Sequence, residues 1–403
     1  MTAPTPAVRE RIDSLSGEEL PAYVYDLDAL RTHARAVRAA LPRQVELYYA
    51  AKANPEPEIL SALGPYVDGY EVSSGGELTH VAKAAPGRAL AFGGPGKTPA
   101  EIATALELGV RRFHVESAYE LRMLASLTAR HAPSERPGVL LRFNLPLPEA
   151  SLESSSLAMG GHPTPFGLDP TEADTLVGLL TDGTYPQLEL LGVHAHLASG
   201  LDAPALLALA QSVVTWSLDL AGRHGVRFGE INVGGGMNVD YAHPASRFDW
   251  TAYGEGLGEL LAPHPDLTLR IEPGRALTAY CGWYATEVLD VKRSHGKEFA
   301  VVRGGTHHLR TPATKGHDQP CTVLPASAPW PHPWPRPCAQ GAQVTFAGQL
   351  CTPKDVLSRD VPAPGLRAGD RAAFALAGAY AWNISHHDFL MHPRPTFHFL
   401  GRD

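Results

Sequence analysis

Eight short, strongly apolar runs recur along the first two thirds of the chain, and this recurrence constrains the fold more than any other feature. They are VELYYAAK (45–52), VDGYEVS (67–73), RALAFGG (88–94), RRFHVES (111–117), GVLLRFN (138–144), LELLGVHAHL (188–197), EINVGGG (230–236) and LTLRIEPG (267–274). Amphipathic helical stretches separate most of them, among them PAEIATALELG (99–109), AYELRMLASLTARH (118–131) and PALLALAQSVVTWSLDLAGRHG (204–225). Parallel strands need crossover helices, and runs this apolar are buried on both faces. The pattern therefore predicts an α/β chain built on a (β/α)8 TIM-like barrel. With 403 residues, 44% of them hydrophobic, there is chain enough for a barrel and a smaller second domain.

After residue 275 the pattern changes. WYATEVLDVKR, FAVVRG, AQVTFAG and DRAAFALAG are joined by Pro- and Gly-rich loops, which predicts a mostly antiparallel C-terminal β domain. The N-terminal PAYVYDLDAL is expected to return to it. The boundaries expected are 1–28 for this N-terminal segment, 29–275 for the barrel and 276–403 for the β domain. The Pro-, His- and Trp-rich segment 311–340 reads as a long ordered loop or lid.

A formal charge of −8 without a basic block gives nothing to draw nucleic acid or an anionic membrane surface. The apolar runs fall short of the about 20 residues that span a bilayer, and MTAPTPAVRERIDSL lacks a signal pattern. A cytoplasmic protein is the expectation. Cys281, Cys321, Cys338 and Cys351 are too few and too irregularly spaced for a disulfide framework or a zinc site. They are read as reduced thiols, and no metal is expected.

In a barrel of this kind the chemistry sits at the C-terminal ends of the strands. Polar residues gather there: Lys52, Glu71, Arg142 and Asn144, His194 and His196, Gly234 to Gly236, and Glu272 with Arg275. Any strand end turns polar again, so the weight lies in their joint placement at one rim. VGGGM (233–237) lets the backbone approach an anion closely, since glycine has no Cβ. EPGR (272–275) lies in the late-strand region where barrels hold phosphate. A lysine, a phosphate cup and a carboxylate are what a pyridoxal phosphate enzyme needs. A phosphosugar aldolase also uses the first two, and the residues alone leave both open. An apolar setting for Lys52 would disfavour its ammonium form, as a nucleophilic amine requires.

PAYVYDLDAL, YYAAKAN, EVSSGGEL, HAHLASG, VGGGM, EPGR, GQLCTPKDVL and GAYAW occur in this order over residues 20 to 390. As a set they resemble the fold-type III pyridoxal phosphate decarboxylases, the group of diaminopimelate and ornithine decarboxylases, whose barrel is alanine racemase-like. The resemblance implies that Lys52 forms the Schiff base and His196 stacks on the cofactor ring. Ser199, Gly235, Gly236, Gly274 and Arg275 would hold the phosphate with help from Tyr380. Glu272 would meet the pyridine nitrogen, where the racemases of this fold carry arginine, and so favour decarboxylation. Glu71 would lie near the ring, or else cap the helix that starts at GGEL. Cys351 would return a proton to Cα from the partner subunit, which implies a homodimer with shared sites.

The chain departs from its better-known relatives immediately after Cys351, where they carry an acid that reads the substrate's distal ammonium. Thr352 stands there instead, with Asp355 three residues later. GGTHHLRTPATKGH (304–317) places His307, His308, Arg310, Lys315 and His317 together, which reads either as a cationic cluster for carboxylates or as a solvated loop. LRFNLPLP, LAMGGHPTPFGLD and THHLRTPATKGH most resemble the siderophore-pathway subgroup of the staphyloferrin B type, which acts on citryl-diaminopropionate and gives the citryl amide of ethylenediamine. Arg142, His308, Arg310, Thr352 and Asp355 are the substrate-binding residues this implies, and HHDF (386–389) lines the pocket or forms a surface turn. Two alternatives remain: a decarboxylase for diaminopimelate or another basic L- or D-amino acid, and a non-catalytic cofactor-binding or regulatory homologue.

Overall fold

A computed structural model describes residues 3–146 and 157–401. Leu147 and Pro148 of the LRFNLPLP stretch lie outside the described residues. The chain divides into two compact units, one of residues 31–238 and 248–277, the other of residues 1–30, 239–247 and 278–403.

In the first unit all eight expected runs are strands of one closed parallel barrel. They are β2 (Val45–Ala50), β3 (Gly69–Val72), β4 (Ala89–Phe92), β5 (Arg112–Val115), β6 (Gly138–Arg142), β8 (Glu189–His194), β10 (Glu230–Asn232) and β11 (Thr268–Ile271). The ring closes where Leu269 to Ile271 pair with Val45 to Leu47. Between β6 and β10 the chain also forms a two-residue antiparallel pair, β7 (Leu157–Ala158) with β9 (Ala198–Ser199). Side-chain caps start helices soon after the strands: Ser74 accepts from Glu77 N–H, Ser117 from Glu120 N–H and Asp202 from Ala205 N–H. These starts fix one rim, at which every strand ends. The helix Ala203–Arg223 is long and apolar enough to cross a membrane, yet Leu206, Leu209, Ala210, Val213, Val214 and Leu220 are buried in the unit.

The barrel interior is charged in one layer. Arg270 is fully buried, with its Nη2 2.5 Å from Glu46 Oε2 and 2.8 Å from Glu230 Oε2. Its guanidinium lies 4.3 Å from the Tyr48 ring centroid. Arg112 Nη2 meets Glu230 Oε1 at 2.7 Å. Because side chains repeat their facing every second residue along a strand, the residues two further on, His114, Asn232 and Glu272, face inward one layer nearer the rim.

The second unit carries a sheet ordered β14, β17, β12, β13, β15, β16. These are Cys321–Leu324, Arg371–Phe374, Gly282–Ser294, Lys297–Val302, Gln343–Ala347 and Val356–Pro362. The N-terminal strand β1 (Ala22–Asp26) joins it, antiparallel to β12 and parallel to β18 (Thr396–Leu400). Within this sheet, among the described residues, only β1 with β18 and β13 with β15 pair in parallel, so the sheet is mostly antiparallel. The segment 311–340 is not one loop. It carries the short helix Thr311–Lys315 and the strand β14, which pairs with β17 from Cys321↔Phe374 to Leu324↔Arg371. Four strand residues among prolines are too short a run to stand out in the sequence. Val239–Arg247 groups with this unit because Tyr241 stacks on His317, 4.3 Å apart, and Arg247 lies 3.4 Å over the Tyr280 ring.

Candidate active site

Lys52 sits in the turn Ala51–Ala53 that follows β2, with its Nζ 2.7 Å from Glu71 Oε2 at the end of β3. The apolar setting expected for this lysine is not found: its side chain is 44% exposed, whereas that of Glu71 is 5% exposed. The pair therefore reaches from the rim into the barrel mouth. Glu71 also accepts from the Ser73 hydroxyl at 2.6 Å. Burial raises the Glu71 pKa, but the Lys52 charge and these hydrogen bonds outweigh it and hold the carboxyl below its usual range. The helix after β3 is capped by Ser74, not by Glu71.

His196 follows β8, and its Nδ1 accepts the Gly235 N–H at 3.2 Å. Burial, then the charges of Arg142 and Lys52, push its pKa down to about 3, so the ring is neutral and carries its proton on Nε2. The glycine loop is tied on both sides. Gly234 N–H donates to Asn232 Oδ1 at 2.8 Å, Glu272 N–H donates to Gly234 O at 2.8 Å, and Gly200 N–H donates to Gly236 O at 2.8 Å. Ala50 N–H donates to Pro273 O at 3.2 Å, which joins the lysine turn to EPGR. Four motifs far apart in sequence thus form one cup at the rim, with Ser199 at the end of β9 and Gly274 and Arg275 at the start of the helix Arg275–Thr278.

A side chain would fill this cup. A Cβ on Gly234, whose φ is +71°, would lie 2.5 Å from His196 Nδ1, and one on Gly235 would lie 2.5 Å from Glu272 O. Gly234→Ala is expected to fold but to push the His196 ring aside. Left-handed strain of about 1–2 kcal/mol adds to that clash, so cofactor affinity falls roughly tenfold or more. A fluorescence titration with pyridoxal phosphate reads this, and unchanged affinity would remove the loop from the binding site.

Glu272 is 7% exposed. Asn232 Nδ2 donates to its Oε1 at 2.7 Å, while His114 Nε2 stands 3.7 Å from Oε1 and His194 Nε2 3.8 Å from Oε2. Burial, then the nearby Glu71 charge, push its pKa up to about 7. His114, His194 and Glu272 offer ligand atoms within 4.8 Å of one another, the one such grouping among the described residues that could hold a metal ion. Sequence reasoning missed His114, Asn232 and Ser73, although the two-residue strand period from Arg112 and Glu230 pointed to the first two.

Arg142 ends β6, buried, with its Nη1 2.6 Å from Glu116 Oε1. Glu116 Oε2 accepts from Gly167 N–H at 3.0 Å, and its own N–H donates to Glu120 Oε2 at 2.9 Å. Lys97 Nζ meets Glu120 Oε1 at 2.6 Å. This buried chain, two acids between two cations, also absent from the sequence reading, holds Arg142 in place.

In the second unit Cys351 is exposed and Thr352 half-buried, and Thr352 N–H donates to Leu350 O at 2.8 Å. Asp355 is 2% exposed. Its Oδ1 accepts from Thr306 N–H at 2.6 Å and the Thr306 hydroxyl at 2.8 Å, and its Oδ2 accepts from Leu350 N–H at 2.8 Å. It thereby pins the cysteine loop to the turn at Thr306. Two histidines of the expected cationic cluster, His307 and His308, are held neutral. His308 is buried, its Nδ1 3.0 Å from Tyr284 Oη and its Nε2 3.1 Å from Pro393 O. Burial pushes its pKa down to about 3 and that of the adjacent His307 to about 4. Arg310 and Lys315 are the exposed cations, and His317 stacks on Tyr241. Tyr380 has φ +49°, a left-handed conformation that costs about 1–2 kcal/mol and persists only where the surroundings impose it. In the HHDF stretch, His387 stacks on Trp382 with ring centroids 3.7 Å apart.

These residues fit pyridoxal phosphate. The glycine cup admits a phosphate against backbone, the rim lysine offers an amine, and a buried carboxyl that can hold a proton stands one layer below the rim. The family model described as "Pyridoxal-dependent decarboxylase, pyridoxal binding domain" matches residues 27–279. A curated relative from Staphylococcus aureus (strain NCTC 8325 / PS 47), 2-[(L-alanin-3-ylcarbamoyl)methyl]-2-hydroxybutanedioate decarboxylase, is 37% identical over 98% of both chains. The diaminopimelate decarboxylase of Bacteroides thetaiotaomicron is 28% identical over 92% of each. Among solved structures, diaminopimelate decarboxylase from Helicobacter pylori complexed with L-lysine is similar with a TM-score of 0.79 and 26% identity, over 93% of this chain and 90% of that one.

Proposed function

The chain belongs to the fold-type III pyridoxal-dependent decarboxylases, and from that premise we propose that it acts on citryl-diaminopropionate and releases CO2 to leave citryl-ethylenediamine. Thr352 carries this reading. Placed directly after Cys351, it offers a hydroxyl where an acid would be needed to pair with a distal ammonium. In a substrate whose side-chain nitrogen is an amide to citrate, that ammonium is gone. The substrate named for the Staphylococcus aureus relative is of this kind, and the similarity spans nearly the whole chain.

Bound in the cup, pyridoxal phosphate supplies the electron sink for the pair left when the substrate's carboxylate departs. Lys52 offers the amine, with Glu71 beside it as the acceptor for the ammonium proton. Ser199, Gly235, Gly236, Gly274 and Arg275 would hold the phosphate with help from Tyr380, neutral His196 would stack on the ring, and Glu272 would meet its nitrogen. The thiol of Cys351 protonates Cα, and a second copy of the chain supplies it, so the working unit is a homodimer in the cytoplasm. Arg142 and Arg310 read carboxylates of the substrate. Asp355 and His308, both buried with their polar atoms engaged, act by shaping the loops that carry Thr352 and Arg310.

The test is a panel. Protein and cofactor are mixed with citryl-diaminopropionate, diaminopimelate, ornithine and lysine, and each mixture is read by mass for the loss of one CO2. Decarboxylation of the citryl compound alone is expected, and preferred turnover of diaminopimelate would replace the substrate reading. Thr352→Glu is the complementary variant, expected to lose the citryl substrate. A silent cofactor-binding role would require no CO2 from any substrate.

A further inference from the structure

Two imidazoles that the reading above does not use flank Glu272, those of His114 and His194. His194 is 4% exposed and His114 0% exposed. Both ring nitrogens of His194 and Nδ1 of His114 are buried without a hydrogen-bond partner. Such atoms are uncommon in folded proteins and call for a reason. The rings lie 4.2 Å apart, so they pack as one unit.

The protonation of this layer follows from its backbone. Gly234 N–H donates to Asn232 Oδ1, which turns the Asn232 amide nitrogen inward. That nitrogen has two protons: one reaches Glu272 Oε1 at 2.7 Å, the other His114 Nε2 at 3.3 Å. His114 Nε2 therefore accepts, and its ring proton is on Nδ1 beside Gly93, where a Cβ would stand 3.2 Å away. Glu272 Oε1 is thus held by Asn232. Oε2 is left to His194 Nε2 at 3.8 Å, and a shortening of about 0.8 Å makes that contact a hydrogen bond.

We propose that His194 and His114 are positioning residues for Glu272, His194 as the neutral imidazole that closes onto Oε2 and His114 as the acceptor that keeps the Asn232 amide on Oε1. The inference rests on the assignment of Glu272 to the cofactor nitrogen. A neutral imidazole can donate to an ionised carboxylate or accept from a protonated one. The bond to the charged form is about twice as strong, so His194 favours the carboxylate that a protonated ring nitrogen needs opposite it. Burial works in the other direction, and both imidazoles are themselves kept neutral chiefly by burial. The other groups facing Glu272 are Glu71 from β3, Lys52 from the turn after β2 and Arg270 from β11; Glu71 raises the Glu272 pKa, while Lys52 and Arg270 lower it.

The experiment uses the full chain without cofactor. The Glu272 carboxyl is followed by carbon-13 NMR with glutamate labelling, assigned by the loss of its signal in Glu272→Gln. His194→Leu is expected to move its titration midpoint up by about one unit and to weaken pyridoxal phosphate binding about tenfold. His194→Gln, whose amide nitrogen takes the place of Nε2 and can still donate to Oε2, is expected to recover most of both. His114→Leu should move the midpoint the same way by less. A midpoint unmoved in His194→Leu, or one that His194→Gln does not restore, overturns the proposal even if affinity falls, because a packing defect alone predicts that outcome. The titration needs no substrate, so failure of the decarboxylase panel with a shifted midpoint would sink the substrate reading and leave this one standing.

Discussion

Lys52→Ala protein is expected to form no measurable product amine from any substrate in the panel, a loss of about 10³-fold or more, because the reaction loses its nucleophilic amine. The variant should still fold. Lys52 is at the rim and its side chain is 44% exposed, so its removal opens no cavity, and the Ser73 hydroxyl still donates to Glu71. Circular dichroism and the melting curve provide that control. Absorbance near the Schiff-base band should vanish while phosphate-dependent binding in the glycine cup persists at reduced affinity. Substantial residual turnover would end the assignment of Lys52. A second arm tests the shared site. Cys351→Ala protein should also be nearly inactive, and refolding it together with Lys52→Ala protein should restore roughly a quarter of wild-type activity, since random pairing leaves one intact site in half of the dimers. No recovery would mean that Lys52 and Cys351 of the same chain work together.

Arg270→Leu is expected to cost about 3–5 kcal/mol of stability, read as a lower guanidinium midpoint of the whole chain. Arg270 is fully buried and shared by Glu46 and Glu230, whose side chains are 29% and 12% exposed. Removing it strands two carboxylates in the barrel and leaves Arg112 alone to balance them. Replacing Glu46, Glu230, Arg112 and Arg270 together by apolar residues of similar volume should be far milder, because no charge is then left unpaired. If Arg270→Leu costs less than about 1 kcal/mol, the layer is hydrated in solution and its ion pairs add little.

Much of the fold was legible because a barrel writes itself as repetition. All eight apolar runs are strands, since a strand covered on both faces tolerates few polar residues, and capping side chains follow several of them. The β sheet was harder. β14, β16 and β18 went unread because short strands beside prolines, or with one exposed face, leave only a weak pattern. The barrel half of the site was largely legible too, as Lys52, His196, Gly234 to Gly236, Glu272 and Arg275 stand where strands end. His114 and Asn232 were within reach, being two residues beyond interior charges on their strands. The Lys97–Glu120–Glu116–Arg142 chain was not, because its members come from separate elements and meet only after the barrel closes.

What the amino-acid sequence determined alone was the order of the strands, the rim and the identity of the groups on it, since alternation, glycine and chain direction act locally. Tertiary structure decided their charge. Nothing in THHLR distinguishes a cation from a neutral imidazole, but burial strips the proton from His307 and His308. Nor does EPGR reveal that its glutamate holds a proton near pH 7, which needs Glu71 and a dry interior around it. The setting of Lys52 likewise depended on Glu71 arriving from the next strand. Ionisation is set by solvent exclusion and by neighbours distant in sequence, and both exist only once the chain has closed on itself.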